Sequence, residues 1–335
     1  MALDHYVTLG NSGLRVSPFC LGAMTFGQDW GWGSSVSDSE VILARYIEKG
    51  GNFIDTANIY TRGHSEAIIG DYVRQRGLRR DQLVIATKFF SNLFPPDPNA
   101  GGAGRKSIIA ACEGSLRRLQ TDYIDLYWMH LWDRFTPIEE TMEALPDGVK
   151  AGKVLYLGAS SMFAWQFTEL QMTAERSGWT KFVSMQNHYN LIYREEEREM
   201  NPYCLSTGVA LQPWSPLARG ILAGAYQGSL EGGTTDRSKG QDRTRTESLY
   251  RGEMDFAIAA RVITLANERG CRPAQIAMAW LLSKPGITAP VVGVSRVEQL
   301  EQLVEACSIE LSVEDVSHLE ELYQPVENLL SIGTS

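Results

Sequence analysis

The sequence predicts an α/β protein folded as a single closed (β/α)8 (TIM) barrel, and three observations carry that prediction. Short apolar, β-branched runs alternate along the chain with helical stretches of about 10–15 residues, the pattern of βαβ units around a parallel sheet. Eight such runs can be marked out, which favours a closed barrel over an open sheet. Several of them deliver an ionisable side chain at their C-terminal end, where barrels of parallel strands carry out their chemistry.

The elements follow in order. Strand one is expected at 19–22. Ser37-Asp38-Ser39-Glu40 reads as a capping box, and Gly50-Gly51 stops the helix it opens. Strand two is expected at 53–56, and Gly77 ends the next helix. Strands three and four are expected at 83–87 and 123–127. Thr136-Pro137-Ile138-Glu139 starts a helix with Pro at its first position, and Gly152 ends it. Strand five is expected at 154–158, a helix closed by Gly178 follows, and strands six and seven are expected at 182–186 and 208–212. From Gly224 to Gly252 the chain is rich in Gly, Ser, Thr, Arg and Asp and reads as a long loop, functional or disordered. A helical pair near 254–269 and 273–283 then leads to strand eight at 288–292. The Gly-rich stretch from Asn99 to Arg105 reads equally as a lid over a pocket or as a surface loop. No linker or composition break divides the chain, so residues 1–335 are expected to form one domain.

Composition narrows the function classes. A hydrophobic content of 44% is enough for a full core, while a net charge of −9, a pI near 5.2 and no basic tract argue against nucleic acid or an anionic membrane as main partner. Five scattered cysteines without a C-x-x-C suggest reduced thiols in a reducing compartment. The N-terminus lacks a signal-peptide pattern, and no apolar run reaches ~18 residues. The expectation is a cytoplasmic protein, monomer or small homo-oligomer, acting on a small molecule.

Four polar residues at strand exits suggest the chemistry: Asp55, Tyr60, Lys88 and His130. A phenol with its ordinary pKa near ~10 is a poor proton donor at neutral pH, and an adjacent ammonium lowers that value. Lys88 can supply the ammonium, Asp55 its counter-charge, and His130 a hydrogen bond to a carbonyl oxygen. Singly, each residue has an ordinary structural reading; together at strand exits they make a proton-delivery site that needs no metal. An H-x-H after an early strand, which a metal hydrolase of this fold would carry, is absent from the sequence.

The run Gly51-Asn52-Phe53-Ile54-Asp55-Thr56-Ala57-Asn58-Ile59-Tyr60 resembles the G-x-[NF]-x-D-[TS]-A-x-x-Y pattern of the aldo-keto reductases. Ser65-Glu66 with Gly70, Ala86-Thr87-Lys88, Ser115 to Leu119, Asp122 to Tyr127 with His130, Gly152-Lys153-Val154 and Gly158-Ala159-Ser160 follow in that family's order. The likeness runs from about residue 6 to about residue 325 and is strongest to the aryl-alcohol-dehydrogenase-like and channel-β-subunit-like branch. It implies that Tyr60 is the general acid, that Lys88 lowers its pKa, that Asp55 holds Lys88, and that His130 orients the carbonyl. It also implies NADPH as hydride donor to aldehydes or ketones. The competing implication is a redox-sensing regulatory subunit; channel subunits carry Asn where this chain has His130, which favours the enzyme.

No G-x-G-x-x-G follows a strand, so a doubly wound nucleotide fold lacks its fingerprint. Val291 to Leu300 instead reads as strand, turn and helix start, with Ser295 at the N-cap and Arg296 beside it, a phosphate site of the kind helix N-termini provide. The resemblance assigns Gly293, Ser295, Arg296, Gln299 and Gln302 to the adenosine 2′-phosphate end of NADP(H), with Gln302 standing where Glu is usual and Leu303 where Asn is usual. It assigns Trp214, Ser215, Pro216 and Leu217 to the nicotinamide and pyrophosphate, Ser160 and Gln186 to the carboxamide, and Ala23, Met24, Asp55 and Arg219 to the same site. One or two of Arg237, Lys239, Arg243 and Arg245 are candidates to clamp phosphate. Trp30, Trp32, Phe89, Phe90 and Trp132 fall in loops after strands one, three and four and suggest an aromatic-walled pocket for an apolar carbonyl; simple packing is the equal alternative. His64 and His188 receive no role.

Overall fold

The structure, a computed structural model, describes residues 3–226, 228–235, 238, 242–250 and 252–329. It opens with a hairpin that the sequence did not announce. β1 (Val7–Thr8) pairs antiparallel with β2 (Arg15–Val16). Eight parallel strands follow: β3 (Cys20–Gly22), β4 (Phe53–Asp55), β5 (Val84–Phe89), β6 (Ile124–Met129), β7 (Val154–Ser160), β8 (Phe182–Gln186), β9 (Ala210–Leu211) and β10 (Val291–Gly293). They lie in the order β10-β3-β4-β5-β6-β7-β8-β9. The ring closes where Thr288 N donates to Leu211 O at 2.9 Å and Val291 N to Pro213 O at 2.8 Å. All eight expected strands are present, in a (β/α)8 barrel.

Strand period decides what faces the lumen. Cys20, Phe53, Val84, Ala86, Leu126, Trp128, Ala210 and Ala289 make one interior cluster, and Leu9 and Val16 of the hairpin join it as a plug. Ile54, Ile85, Phe89, Tyr127 and Met129 belong to the layer between sheet and helices. Gly158 is dictated by this packing: a Cβ there would lie 2.2 Å from the Trp128 ring.

The outer helices are α1 (Val36–Glu48), α2 (His64–Gln75), α3 (Arg105–Leu119), α4 (Ile138–Lys150), α5 (Ala164–Ser177), α6 (Met200–Thr207), α7 (Asp242–Leu249), α8 (Glu253–Glu268), α9 (Pro273–Leu282), α10 (Val297–Ala306) and α11 (Val313–Glu320). Three expected caps shift. Ser35, not Ser37, caps α1, its oxygen accepting from Asp38 N at 3.1 Å. Pro137 occupies the N-cap of α4 rather than its first helical position. Arg296, not Ser295, is the N-cap residue of α10. A 3₁₀ turn at Ala218–Ala223 leads into the expected Gly224–Gly252 loop, which contains a second 3₁₀ turn at Leu230–Gly232 and the helix α7. Arg237 and Lys239 lie outside the described residues. The Asn99–Arg105 stretch is tied down, with Gly102 N donating to Phe90 O at 2.7 Å and Ala103 N to the Asp133 carboxylate at 2.8 Å. Among the described residues no helix is long and apolar enough to cross a membrane.

Candidate active site

Asp55 ends β4, Lys88 is the fifth residue of β5, and His130 follows β6 directly. Alternation turns all three inward at the C-terminal mouth. Tyr60 reaches them from the turn after β4. That turn runs through Thr61 at φ 46° and Arg62 at φ 56°. A β-branched residue with positive φ is strained. The Thr61 hydroxyl holds it there, donating to Phe26 O at 3.2 Å and accepting from Ser65 N at 3.0 Å.

Lys88 is fully buried, and its ammonium meets three oxygens. It pairs with Asp55 Oδ1, donates to Thr56 O at 2.9 Å, and lies 3.3 Å from the Tyr60 hydroxyl. Burial, the largest influence on Lys88, opposes its charge. Asp55 and Tyr60 together outweigh it and hold the ammonium above the usual lysine range. Burial likewise pushes the Asp55 carboxyl up, while Lys88 and Gln186 pull it back. The close contact favours the charged pair. The His130 ring stands edge-on to Tyr60, centroids 6.1 Å apart. Burial, and then the Lys88 charge, push its pKa down to about 3, so the imidazole is neutral. Its Nδ1 is buried without a hydrogen-bond partner.

Beside this group, Ser160 and Gln186 are register partners at the ends of β7 and β8, both buried. Gln186 Nε2 donates to Asp55 Oδ2 at 3.1 Å, a link the sequence reading missed. Trp214 is half-buried: its Nε1 donates to Ser161 Oγ at 3.1 Å, and one face lies flat on His188. Ala23 is buried and Met24 half-buried in the 3₁₀ turn after β3. The strand ends thus gather a buried Asp–Lys pair, a tyrosine hydroxyl and a neutral imidazole beside two buried polar side chains and a half-buried indole.

The Aldo/keto reductase family profile matches residues 18–324. The chain belongs to the aldo/keto reductase family. It is 43% identical to an aldo-keto reductase of Alternaria alternata, over 95% of this chain and 91% of that one. It is 42% identical to a Schizosaccharomyces pombe protein named for aryl-alcohol dehydrogenase, covering 96% of this chain and 97% of that one. It is 41% identical to the versiconal hemiacetal acetate reductase of Aspergillus parasiticus, with the same coverage. Membership makes the chain an oxidoreductase of the carbonyl-reducing kind, and the family usually binds a nicotinamide cofactor.

Within this aldo/keto reductase the remaining candidates are placed unevenly. At α10, Gln299 Oε1 accepts from Ser295 N at 2.9 Å, Arg296 N at 3.2 Å and Ser295 Oγ at 3.3 Å. That side chain caps the amides expected to meet phosphate. The Arg296 side chain is exposed beside a depression of about 260 Å³ shared with Asp38 and Glu298. Gly293 is exposed, and the Gln302 carbonyl accepts from Gln275 at 3.1 Å. Ser215, at φ 53°, Pro216 and Leu217 form the turn before the 3₁₀ segment. Arg219 pairs with Asp242 and donates to Thr246 Oγ1 at 3.0 Å. Arg243 pairs with Glu247 on the surface, and Arg245 is exposed.

The aromatic wall needs one correction. Trp30 packs edge-on against Tyr60 and lies against Trp32, at 6.4 and 5.6 Å, and Trp132 lies against Trp165 at 5.9 Å. Phe89 faces the other way. It follows the inward Lys88, so it points out to the helices and is buried on Tyr127. Trp165, 57% exposed, joins the wall unforeseen. Other motif residues are structural. Buried Glu66 holds Arg118 and Thr87, each at 2.6 Å, and Asp125 holds Arg80 and Ile85 N. Gly70 lets α2 approach the end of α3, where a Cβ would lie 2.6 Å from Leu119 backbone.

Proposed function

We propose that this chain, as one barrel domain over residues 1–335, is an NADPH-dependent reductase of aldehydes or ketones that also runs in reverse on the alcohols. The observation that carries the proposal is the buried Asp55–Lys88 pair with its ammonium 3.3 Å from the Tyr60 oxygen. A positive charge at that distance favours the phenolate and moves a phenol of ordinary pKa near ~10 toward working pH. Tyr60 then gives its proton to the carbonyl oxygen in reduction and takes it back in oxidation. Asp55 keeps Lys88 charged. Neutral His130 has one N–H to donate and orients the carbonyl oxygen toward Tyr60.

The nicotinamide, when bound, supplies the hydride. Ser160 and Gln186 would hold its carboxamide, and Trp214 would face its ring. The half-buried indole and two buried polar side chains at one mouth fit a flat, amide-bearing ring. Arg296 and the start of α10 would meet the adenosine phosphate. The wall of Trp30, Trp32 and Trp132 suits an apolar or aromatic carbonyl. The names of the relatives, a versiconal hemiacetal acetate reductase among them, support this reading. A cytoplasmic setting agrees with cysteines that are unpaired. The test is a panel of aldehydes, ketones and alcohols with NADPH or NADP, followed by nicotinamide absorbance, with Tyr60→Phe as control. NADPH binding without turnover above that control on any carbonyl would leave the regulatory-subunit reading in its place.

A further inference from the structure

Behind Trp214 lies a buried histidine that the proposed chemistry does not use. His188 sits two residues beyond β8 and is 2% exposed. Its ring is held between two others: Trp214 at 4.0 Å between centroids and 7° from parallel, and Tyr193 at 4.1 Å and 12°. Stacking fixes the plane of the imidazole but not its rotation within that plane. The rotation is fixed by the Tyr250 hydroxyl, 2.5 Å from His188 Nε2. Asn190 Nδ2 donates to the same hydroxyl at 2.9 Å and to Ser215 O at 2.9 Å, joining Tyr250 to the turn that follows Trp214.

Tyr250 prolongs α7, its N–H donating to Thr246 O at 2.9 Å. The opposite end of α7 is gripped by Arg219, through its ion pair with Asp242. The helix after β9 is therefore fastened at one end to the 3₁₀ segment that follows the Trp214 turn and at the other to the turn itself, and a contact at that second end reaches the ring on which Trp214 lies. Burial, with the charges of Arg245 and Arg219, keeps His188 neutral, which suits a flat stack between two rings. A phenylalanine would fill the same slot but would take away the ring nitrogen that meets the Tyr250 hydroxyl, leaving that hydroxyl to Asn190.

We propose that His188 is a positioning residue that couples the Trp214 platform to α7: seating of Asp242–Tyr250 fixes the indole plane, and loss of the His188–Tyr250 contact loosens the hold of that plane on a cofactor ring. The inference rests on the reading of Trp214 as the nicotinamide platform. Linkage makes the coupling reciprocal, so whatever the seating of α7 adds to the free energy of cofactor binding, bound cofactor returns to that seating.

The experiment uses the full chain and two conservative variants, Tyr250→Phe and His188→Phe. NADPH dissociation, followed by stopped-flow protein fluorescence, should quicken about three- to tenfold in each, the worth of one hydrogen bond. The double variant should be no faster than the faster single, because both act through one contact. A second readout needs no cofactor. Trp214 emission, taken as the difference between each protein and its Trp214→Phe counterpart, should shift to the red and quench more readily with acrylamide in both variants. Should the wild-type protein bind no NADPH, the cofactor reading fails by itself, and the emission difference alone decides the coupling. Unchanged Trp214 emission in both folded variants overturns the proposal, whatever happens to dissociation.

Discussion

An ammonium with no solvent access survives only among oxygens, and Lys88 has Asp55, Thr56 O and Tyr60 around it. Removing any one changes what the others must do. Tyr60→Phe keeps the ring but loses the transferable proton. Turnover should fall by about 10²–10⁴-fold, the usual worth of a general acid, with NADPH affinity nearly unchanged. Lys88→Met should be equally crippling, because it leaves Asp55 buried without its partner. The double mutant should be little worse than the worse single, since the pair acts as one unit; multiplicative losses in a cycle on turnover would show the acid misassigned. His130 adds a prediction about pH. With a pKa near 3 it stays neutral throughout the neutral range. The pH–rate profile should therefore lack a histidine inflection near ~6.5, the ordinary value. Conversion of His130 to Gln should lower the rate without changing the profile's shape; a limb near ~6.5 that vanishes in that variant would refute the assignment.

At the level of elements, what was legible followed from pattern strength. β5 and β6 are six-residue apolar strands ending in or next to a charged or polar group, so their position and the lumen-facing Lys88 and His130 could be read directly. The same alternation turns Phe89 outward onto Tyr127, because β5 runs on through Phe89 instead of ending at 87. β1 and β2 have two residues each, too few to show a period, so the hairpin was invisible. Its effect is nonetheless large, because Leu9 and Val16 close the base of the lumen with no exposure. Leu9→Ala should cost about 2–4 kcal/mol in urea denaturation, as large-to-small changes in cores do. NADPH affinity should hold, since the plug and the site lie at opposite ends of the barrel; a cost under ~1 kcal/mol would mean the plug is not closely packed. The α10 terminus was legible as a helix start but not as a start capped by its own Gln299. With those amides engaged, the proposed phosphate recognition would fall mostly to the Arg296 side chain. Arg296→Ala should weaken NADPH by about tenfold and NADH much less, the worth of a charge-assisted contact. Equal losses for both in a fluorescence titration would remove the phosphate from this helix.

Across the whole molecule, contacts distant in sequence are what pattern cannot give. Gln186 to Asp55 spans 131 positions, and the His188–Tyr250 contact spans 62. Neither leaves a local signal. The same holds for Glu196, one of three consecutive glutamates, which is 4% exposed here. Its Oε1 has no hydrogen-bond partner. Burial, only partly offset by the Asn187 side chain and aided by the charge of Glu195, pushes its carboxyl from 4.5 up to about 8. Between those values the unfolded chain has released this proton and the folded chain keeps it. Stability therefore falls as pH rises through the window. His130 acts with the opposite sign below its ordinary value of 6.5, where the unfolded chain takes up a proton that the fold refuses, so stability falls there as pH drops. The two effects oppose each other from about pH 4.5 to about 6.5, and above that Glu196 acts without His130. Glu196→Gln keeps the shape, removes the titration and leaves His130 untouched. Urea denaturation at about pH 6.5 and about pH 8 should show a falling stability in the wild type and a flatter one in the variant. By about pH 8 the variant should be ahead by roughly 1–3 kcal/mol, a fraction of the ~1.4 kcal/mol per pKa unit that linkage allows. If the two proteins lose stability in parallel over that interval, the Glu196 carboxyl is already ionised in the fold and its burial is compensated by water.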